Sequence, residues 1–166
     1  MRRWIVIGWL LTIGVAVAGI VGKENVISRG DVVYLRLAPV DPRSLMQGDY
    51  MALNFAIGME VAATHGHEET QLRREEVIVI RRDASNEGHF VRLHKDEPLA
   101  DGEQLLRVQN VPSRWGRSTV QVSTDAWFFQ EGQAERYAKA KFGEFRVDAS
   151  GQALLVGMRD ERLGAM

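Results

Sequence analysis

The sequence has 166 residues, a length that holds one folded unit with at most a short appendage. Hydrophobic residues make up 45% and charged residues 26%, the balance of a chain with a core and not of a disordered tail. Lys plus Arg number 21 and Asp plus Glu 22, so no basic excess exists to neutralise a phosphate backbone and nucleic acid is not expected as a partner; the absence of cysteine excludes disulfides, thiolate metal sites, a cysteine nucleophile and a lipoprotein anchor.

From Trp4 to Gly22 run nineteen residues without a charge, with Thr12 the one conventional polar side chain. As a helix this segment covers roughly 28 Å, close to the hydrocarbon thickness of a bilayer. Arg2 and Arg3 precede it and read as the basic region of an export signal, which places residues 23 to 166 outside the cytoplasm. Ala16-Val17-Ala18 fits the small-x-small pattern before signal cleavage, but the apolar run continues to spanning length, so we expect the segment to be retained. The expectation is a single-pass protein of the inner (cytoplasmic) membrane. Residues 1–22 form its anchor or signal segment, and residues 23–166 form one domain in the periplasm or outside the cell. Gly8, Thr12, Gly14, Ala16, Ala18, Gly19 and Gly22 gather within about 200° of the helix circumference, leaving a face that would admit a second helix.

Without Arg2 and Arg3 the outer part carries 19 basic residues against 22 acidic ones, a net −3. Its apolar residues recur mostly with period two. Val33-Leu35-Leu37, Met51-Leu53-Phe55-Ile57, and Val120-Val122 continuing to Phe128 each read as a strand with one face toward a core. The β-branched run Val77-Ile78-Val79-Ile80 predicts a strand covered on both faces, pairing with residues 90–93 across the turn-rich 83–88. Ala134, Tyr137, Ala138 and Phe142 recur at helical spacing, with Glu131 and Glu135 toward the start, Lys139 and Lys141 toward the end and Gly143 placed to terminate; this is the one soluble helix expected. Phe145 and Val147 then alternate with polar residues, and 148–151 turns the chain into Ala153 to Met158, a second hairpin. The class is α+β: a mainly antiparallel β domain with one soluble α-helix, preceded by an N-terminal transmembrane helix.

Gly48-Asp49-Tyr50-Met51-Ala52-Leu53-Asn54-Phe55 matches, at every defined position but the last, the signature of the GDYXXLXY domain family; Phe55 stands where the final tyrosine falls. The preceding residues 38–47, and later Phe128-Phe129-Gln130-Glu131-Gly132, Tyr137, Gly143-Glu144-Phe145-Arg146-Val147 and Gly151, also resemble that family. The resemblance covers most of residues 31–160. It implies a membrane-tethered bacterial domain, commonly encoded beside polytopic membrane proteins, and it implies no activity. Physically, Gly48 supplies a turn, Asp49 accepts backbone N–H groups beyond it, and Leu53 and Phe55 share a buried face with Tyr50 on the other. Asp41 and Pro42 begin a turn that leaves Arg43 to pair with an acid. The motif is read first as scaffold, with Asp41, Arg43, Asp49 and Tyr50 lining a recognition surface as the alternative; the motif and candidate recognition residues together are Asp41, Pro42, Arg43, Gly48, Asp49, Tyr50 and Leu53, with Glu131, Tyr137, Glu144 and Arg146 from the later matching segments.

His65-Gly66-His67-Glu68 brings two imidazoles and a carboxylate together, but a structural zinc site needs four protein ligands and a catalytic one three, and the spacing of the two-histidine helical motif is absent, so a solvated loop is the better reading. His89 and His94, five apart, would point to opposite faces of a strand. Ser44 has no lysine nearby to serve as its base, and no Gly-x-Ser-x-Gly elbow or phosphate-cradling glycine loop occurs. The carboxylate pairs Asp41 with Asp49, and Glu131 with Glu144, are read as solvated or ion-paired. Neither a metal nor another cofactor is expected. The leading reading is a non-catalytic, membrane-anchored interaction domain acting with a polytopic membrane partner; the rival is a hydrolase built on residues 65–68 or on carboxylates near Asp49.

Overall fold

The computed structural model describes residues 2–38, 46–47, 50–65, 74–111 and 119–166. The chain opens on α1 (Arg2–Arg29), one unbroken helix whose spanning stretch is wholly exposed. It passes through Gly30 directly into β1 (Asp31–Arg36). Then follow β2 (Met46–Gln47), β3 (Tyr50–Ala52), α2 (Ala56–His65), β4 (Glu75–Arg82), β5 (Gly88–Leu93), β6 (Glu103–Val111), β7 (Thr119–Gln121), β8 (Ala126–Phe128), the single-turn α3 (Ala134–Tyr137), β9 (Phe142–Val147) and β10 (Ala153–Arg159). The ladders within the three sheets are all antiparallel, in the orders β1-β9-β10, β2-β3-β8 and β5-β4-β6-β7. The class expected from the sequence is the class observed.

Val33 and Leu35 of β1, Phe145 and Val147 of β9, Ile78 and Ile80 of β4 and Leu106 and Val108 of β6 form one buried cluster, joined by Ile57 and Val61 of α2. The two larger sheets are stitched together at their margins. Tyr34 N–H donates to Asn86 O beside a single bridge from Tyr34 to Glu87, and Arg107 N–H donates to Gly151 O across the other side. The β4 run is buried on both faces, since Ile78, Val79 and Ile80 are all without exposure, and the β4–β5 and β9–β10 hairpins form as the patterns predict.

Three turns share one construction. Asp83, Asp148 and Asp160 each use Oδ1 to accept the backbone N–H groups of the residues two and four positions on, at 2.8 to 3.0 Å. The residue three positions on adopts positive φ: Asn86 at 63°, Gly151 at 83° and Leu163 at 60°. The first two turns close the two hairpins, and the third folds the C-terminus back so that Met166 N–H reaches Met158 O.

Three sequence expectations are corrected, and one strand is new. The strand expected to run through Ile57 stops at Ala52, and Ile57 belongs to α2. The alanines of Ala56-Ile57-Gly58-Met59-Glu60-Val61-Ala62-Ala63 favour a helix, and Ile57 and Val61 meet on its buried side at i,i+4 spacing. The strand expected from Val120 to Phe128 is two strands, β7 and β8, broken where Ser123 takes φ 61°. The soluble helix expected up to Phe142 is only the one turn of α3. Lys141 N–H bonds Arg159 O, and Phe142 and Gly143 are strand residues between β1 and β10, so the long-range ladder overrides local helical spacing. Gly143 is accordingly no helix terminator. β6, the nine-residue centre of the largest sheet, was not anticipated, because its inward row begins with a polar residue, Gln104, before Leu106 and Val108.

Candidate functional site

The signature stretch is built around the pairing of β3 with β8. Met51, Leu53 and Phe55 are buried, so the alternation continues past the end of the strand. Leu53 N–H donates to Asp125 O at 2.7 Å, and Phe55 sets its ring edge-on to Phe145, with centroids 5.2 Å apart. Tyr50 lies on the other side and directly opposite Phe128, ring centroids 5.7 Å apart. Phe128 is 75% exposed, which makes this pair the most open aromatic surface of the described β domain.

Alternation along β8 turns its neighbours the opposite way. Trp127 and Phe129 face inward, where Tyr137 of α3 stacks on Phe129 at 5.1 Å and tilts against Trp127 at 6.2 Å, with the Arg136 guanidinium 5.9 Å over the Tyr137 ring. Tyr50 and Tyr137, both recognition candidates in the sequence, are thus separated by the thickness of the β3–β8 ladder. Tyr137 belongs to the packing around the core.

Glu144 and Arg146 lie elsewhere, on the outer face of the β1-β9-β10 sheet. Strand register sets three rows across it: Arg36, Phe142 and Arg159; Tyr34, Glu144 and Gly157; Val32, Arg146 and Leu154. Glu144 is only 8% exposed and is held by Arg159, whose Nε donates at 2.7 Å and whose second nitrogen also closes on the same oxygen. Arg36 caps the Phe142 ring at 4.5 Å while donating twice to Glu87, at 3.0 and 3.3 Å. Arg146 donates to Gly30 O at 3.3 Å. Each charge here has an opposite or a carbonyl within reach, so the face is a network of structural pairs.

Asp83, Glu87 and His89 bring three potential ligand atoms within 4.8 Å of one another. Their present duties oppose a cation. Asp83 Oδ1 already accepts three hydrogen bonds, from the Ser85 and Glu87 amides and the Ser85 hydroxyl. The Ser85 hydroxyl first, then the turn amides and His89, hold the Asp83 carboxyl down at about 2. Glu87 is occupied by Arg36, whose fixed positive charge lies where a metal's charge would be repelled.

Among the sequence candidates, Asp41, Pro42, Arg43, Gly48, Asp49, His67 and Glu68 lie outside the described residues, as does the side chain of His65, the last residue of α2. Glu131 is exposed in the turn before α3, with Glu144 already taken by Arg159. The structure therefore distributes the described candidates over five places: Tyr50 with Phe128, Leu53 in the core, Glu131 in the exposed turn before α3, Tyr137 in the core margin, and Glu144 with Arg146 on the outer sheet face. Sequence reasoning missed Phe128 as a surface residue, having placed it at the end of a core strand, and missed Arg159 as the partner of Glu144.

The chain is thus an α+β protein headed by one helix long and apolar enough to cross a membrane. The family model described as GDYXXLXY protein matches residues 12–158, from within α1 to β10, and the chain belongs to that family. No curated protein and no solved structure matches it.

Proposed function

We propose that this protein is a membrane-held, extracytoplasmic interaction domain that works with an integral membrane partner. The observation that carries the reading is α1. Its apolar stretch is exposed along its whole length and packs on none of the described residues of the domain, so in water it would leave a large apolar surface uncovered, whereas a bilayer covers it. Arg2 and Arg3, read as the basic region of an export signal, favour a cytoplasmic N-terminus and an outer domain. The exposed Phe128, packed on the half-buried Tyr50, is the contact surface we assign to the partner, since exposed aromatics are the usual anchors of protein interfaces.

Native membranes are the place to test this. The protein should stay in the pellet after alkaline carbonate washing, at the mass of the full 166-residue chain, and crosslinking should capture a polytopic protein. Phe128→Ala should abolish the capture while lowering stability by about 1 kcal/mol or less, because it removes one ring contact and no core. Release by carbonate, or capture unchanged by Phe128→Ala, would count against the anchor and against the contact surface respectively.

A further inference from the structure

A tethered domain usually hangs from its anchor by a flexible, Gly-, Ser- or Pro-rich linker. Here there is none: residues 23–31 read Lys-Glu-Asn-Val-Ile-Ser-Arg-Gly-Asp, helical to Arg29 and strand from Asp31. The junction is tied from several directions. Val26, one turn before the helix end, is 4% exposed, and the end of α1 packs on β9 and β10. Gly30 N–H donates to Val26 O at 2.9 Å and Gly30 O accepts from Arg146 at 3.3 Å. A Cβ at Gly30 would be driven into the Val26 carbonyl oxygen and lie 3.0 Å from the Val147 amide nitrogen, so the chain passes here with no room to spare. Asp31, in register with Val147, accepts from the buried Gln104 of β6 at 3.3 Å and faces Arg82 of β4 at 3.7 Å. The helix end is thereby gripped by both large sheets.

We propose that α1 and the β domain are one rigid body across the membrane surface, so that a tilt or rotation imposed on the helix inside the bilayer is carried into the domain without a joint to absorb it. Gly30 lies eight residues beyond Gly22, about 12 Å of helix rise. The domain therefore starts just above the headgroup layer, at fixed height and fixed azimuth. A membrane partner gripping α1 would in this way set the direction in which the domain's surface points. The proposal rests on α1 being retained, and its test separates the two.

The absence of native cysteine makes the measurement direct. Spin labels at Val15→Cys, exposed within α1, and Lys139→Cys, exposed on the loop before β9, are introduced into the full chain in lipid nanodiscs and their separation is read by pulsed dipolar spectroscopy. The reference is the same pair in a chain carrying Val26→Ser and Gly-Ser-Gly-Ser-Gly inserted after Arg29, a linker whose ends wander over about 12 Å. The native junction should give one narrow distance distribution, and the reference one broadened by on the order of 10 Å. A native distribution as broad as the reference, or a reference as narrow as the native, overturns the rigid junction. Loss of the dipolar signal together with a truncated mass means that residue 15 has been cleaved away, which refutes retention and the proposal with it.

Discussion

Asp83, Asp148 and Asp160 each spend one carboxylate oxygen on the amides of a turn, and the residue at positive φ in that turn determines how much strain the closure carries. At Gly151 the demand is met without cost, and any side chain there would also press at 3.1 Å on the Leu105–Leu106 backbone. Gly151→Ala should therefore destabilise the protein by about 1 to 3 kcal/mol in chemical denaturation of the full chain in mild detergent. Leu163 holds the equivalent position with a branched side chain, so Leu163→Gly should stabilise the protein by about 0.5 to 1 kcal/mol and raise the denaturation midpoint. The same sign for both variants would mean that the turns are not equivalent.

Two of these aspartates, Asp83 and Asp148, make stability depend on pH. The Asp83 carboxyl is held near 2, chiefly by the Ser85 hydroxyl. At Asp148 burial pushes upward, but the Ser150 hydroxyl and the Gln152 and Ser150 amides together outweigh it and the net direction is down. A carboxyl lowered on folding stabilises fully above its unfolded value, about 4, and that contribution is lost as pH falls toward the folded value. The denaturation midpoint should fall between pH 4 and about 2. Asp83→Asn keeps an acceptor oxygen for the turn but no longer titrates, so it should flatten part of that fall; a profile identical to the native one would remove Asp83 from the account.

Among the elements, α2 is the least readable from the sequence and the most demanding to place. Ile57 continues the period-two row of Met51, Leu53 and Phe55, so alternation alone extends a strand into what is a helix; alanine content and the Ile57–Val61 spacing carry the contrary signal. Its seat on β7 is set at Gly58, where a Cβ would collide with the Val120 carbonyl oxygen. Two effects oppose each other in Gly58→Ala. Helix propensity would gain about 1 kcal/mol, while the collision with backbone forces α2 away from the sheet. The collision should win, giving net destabilisation, whereas a stabilised variant would show that α2 stands further from β7. Ile57→Ala, which empties space in the core cluster, should cost about 2 to 5 kcal/mol.

The strands and hairpins whose rows are uniformly apolar, β1, β4–β5 and β9–β10, were legible because burial on one or both faces is written in their period. What escaped the sequence depends on distant partners. Phe142 and Gly143 look helical until β1 and β10 claim them, and Gln104 breaks the inward row of β6 because its amide serves Asp31 and the Val147 carbonyl of another sheet. The candidate site was less legible than the fold. Tyr50 and Phe128 are far apart in sequence and meet only through the β3–β8 register, while Glu144 gave no sign that Arg159 would neutralise it.

For the whole molecule, the claim on which the proposed function turns is that the β domain stands on the outer side of the membrane from which α1 emerges. Lys139 is exposed and the chain holds no other thiol, so Lys139→Cys offers a single reporter. Intact cells expressing the full-length variant are treated with a membrane-impermeant maleimide, and a second sample is treated after lysis. The account predicts labelling in intact cells equal to that after lysis, in a species of full-length mass that sediments with membranes. Labelling that appears only after lysis would place the domain on the cytoplasmic side and contradict it.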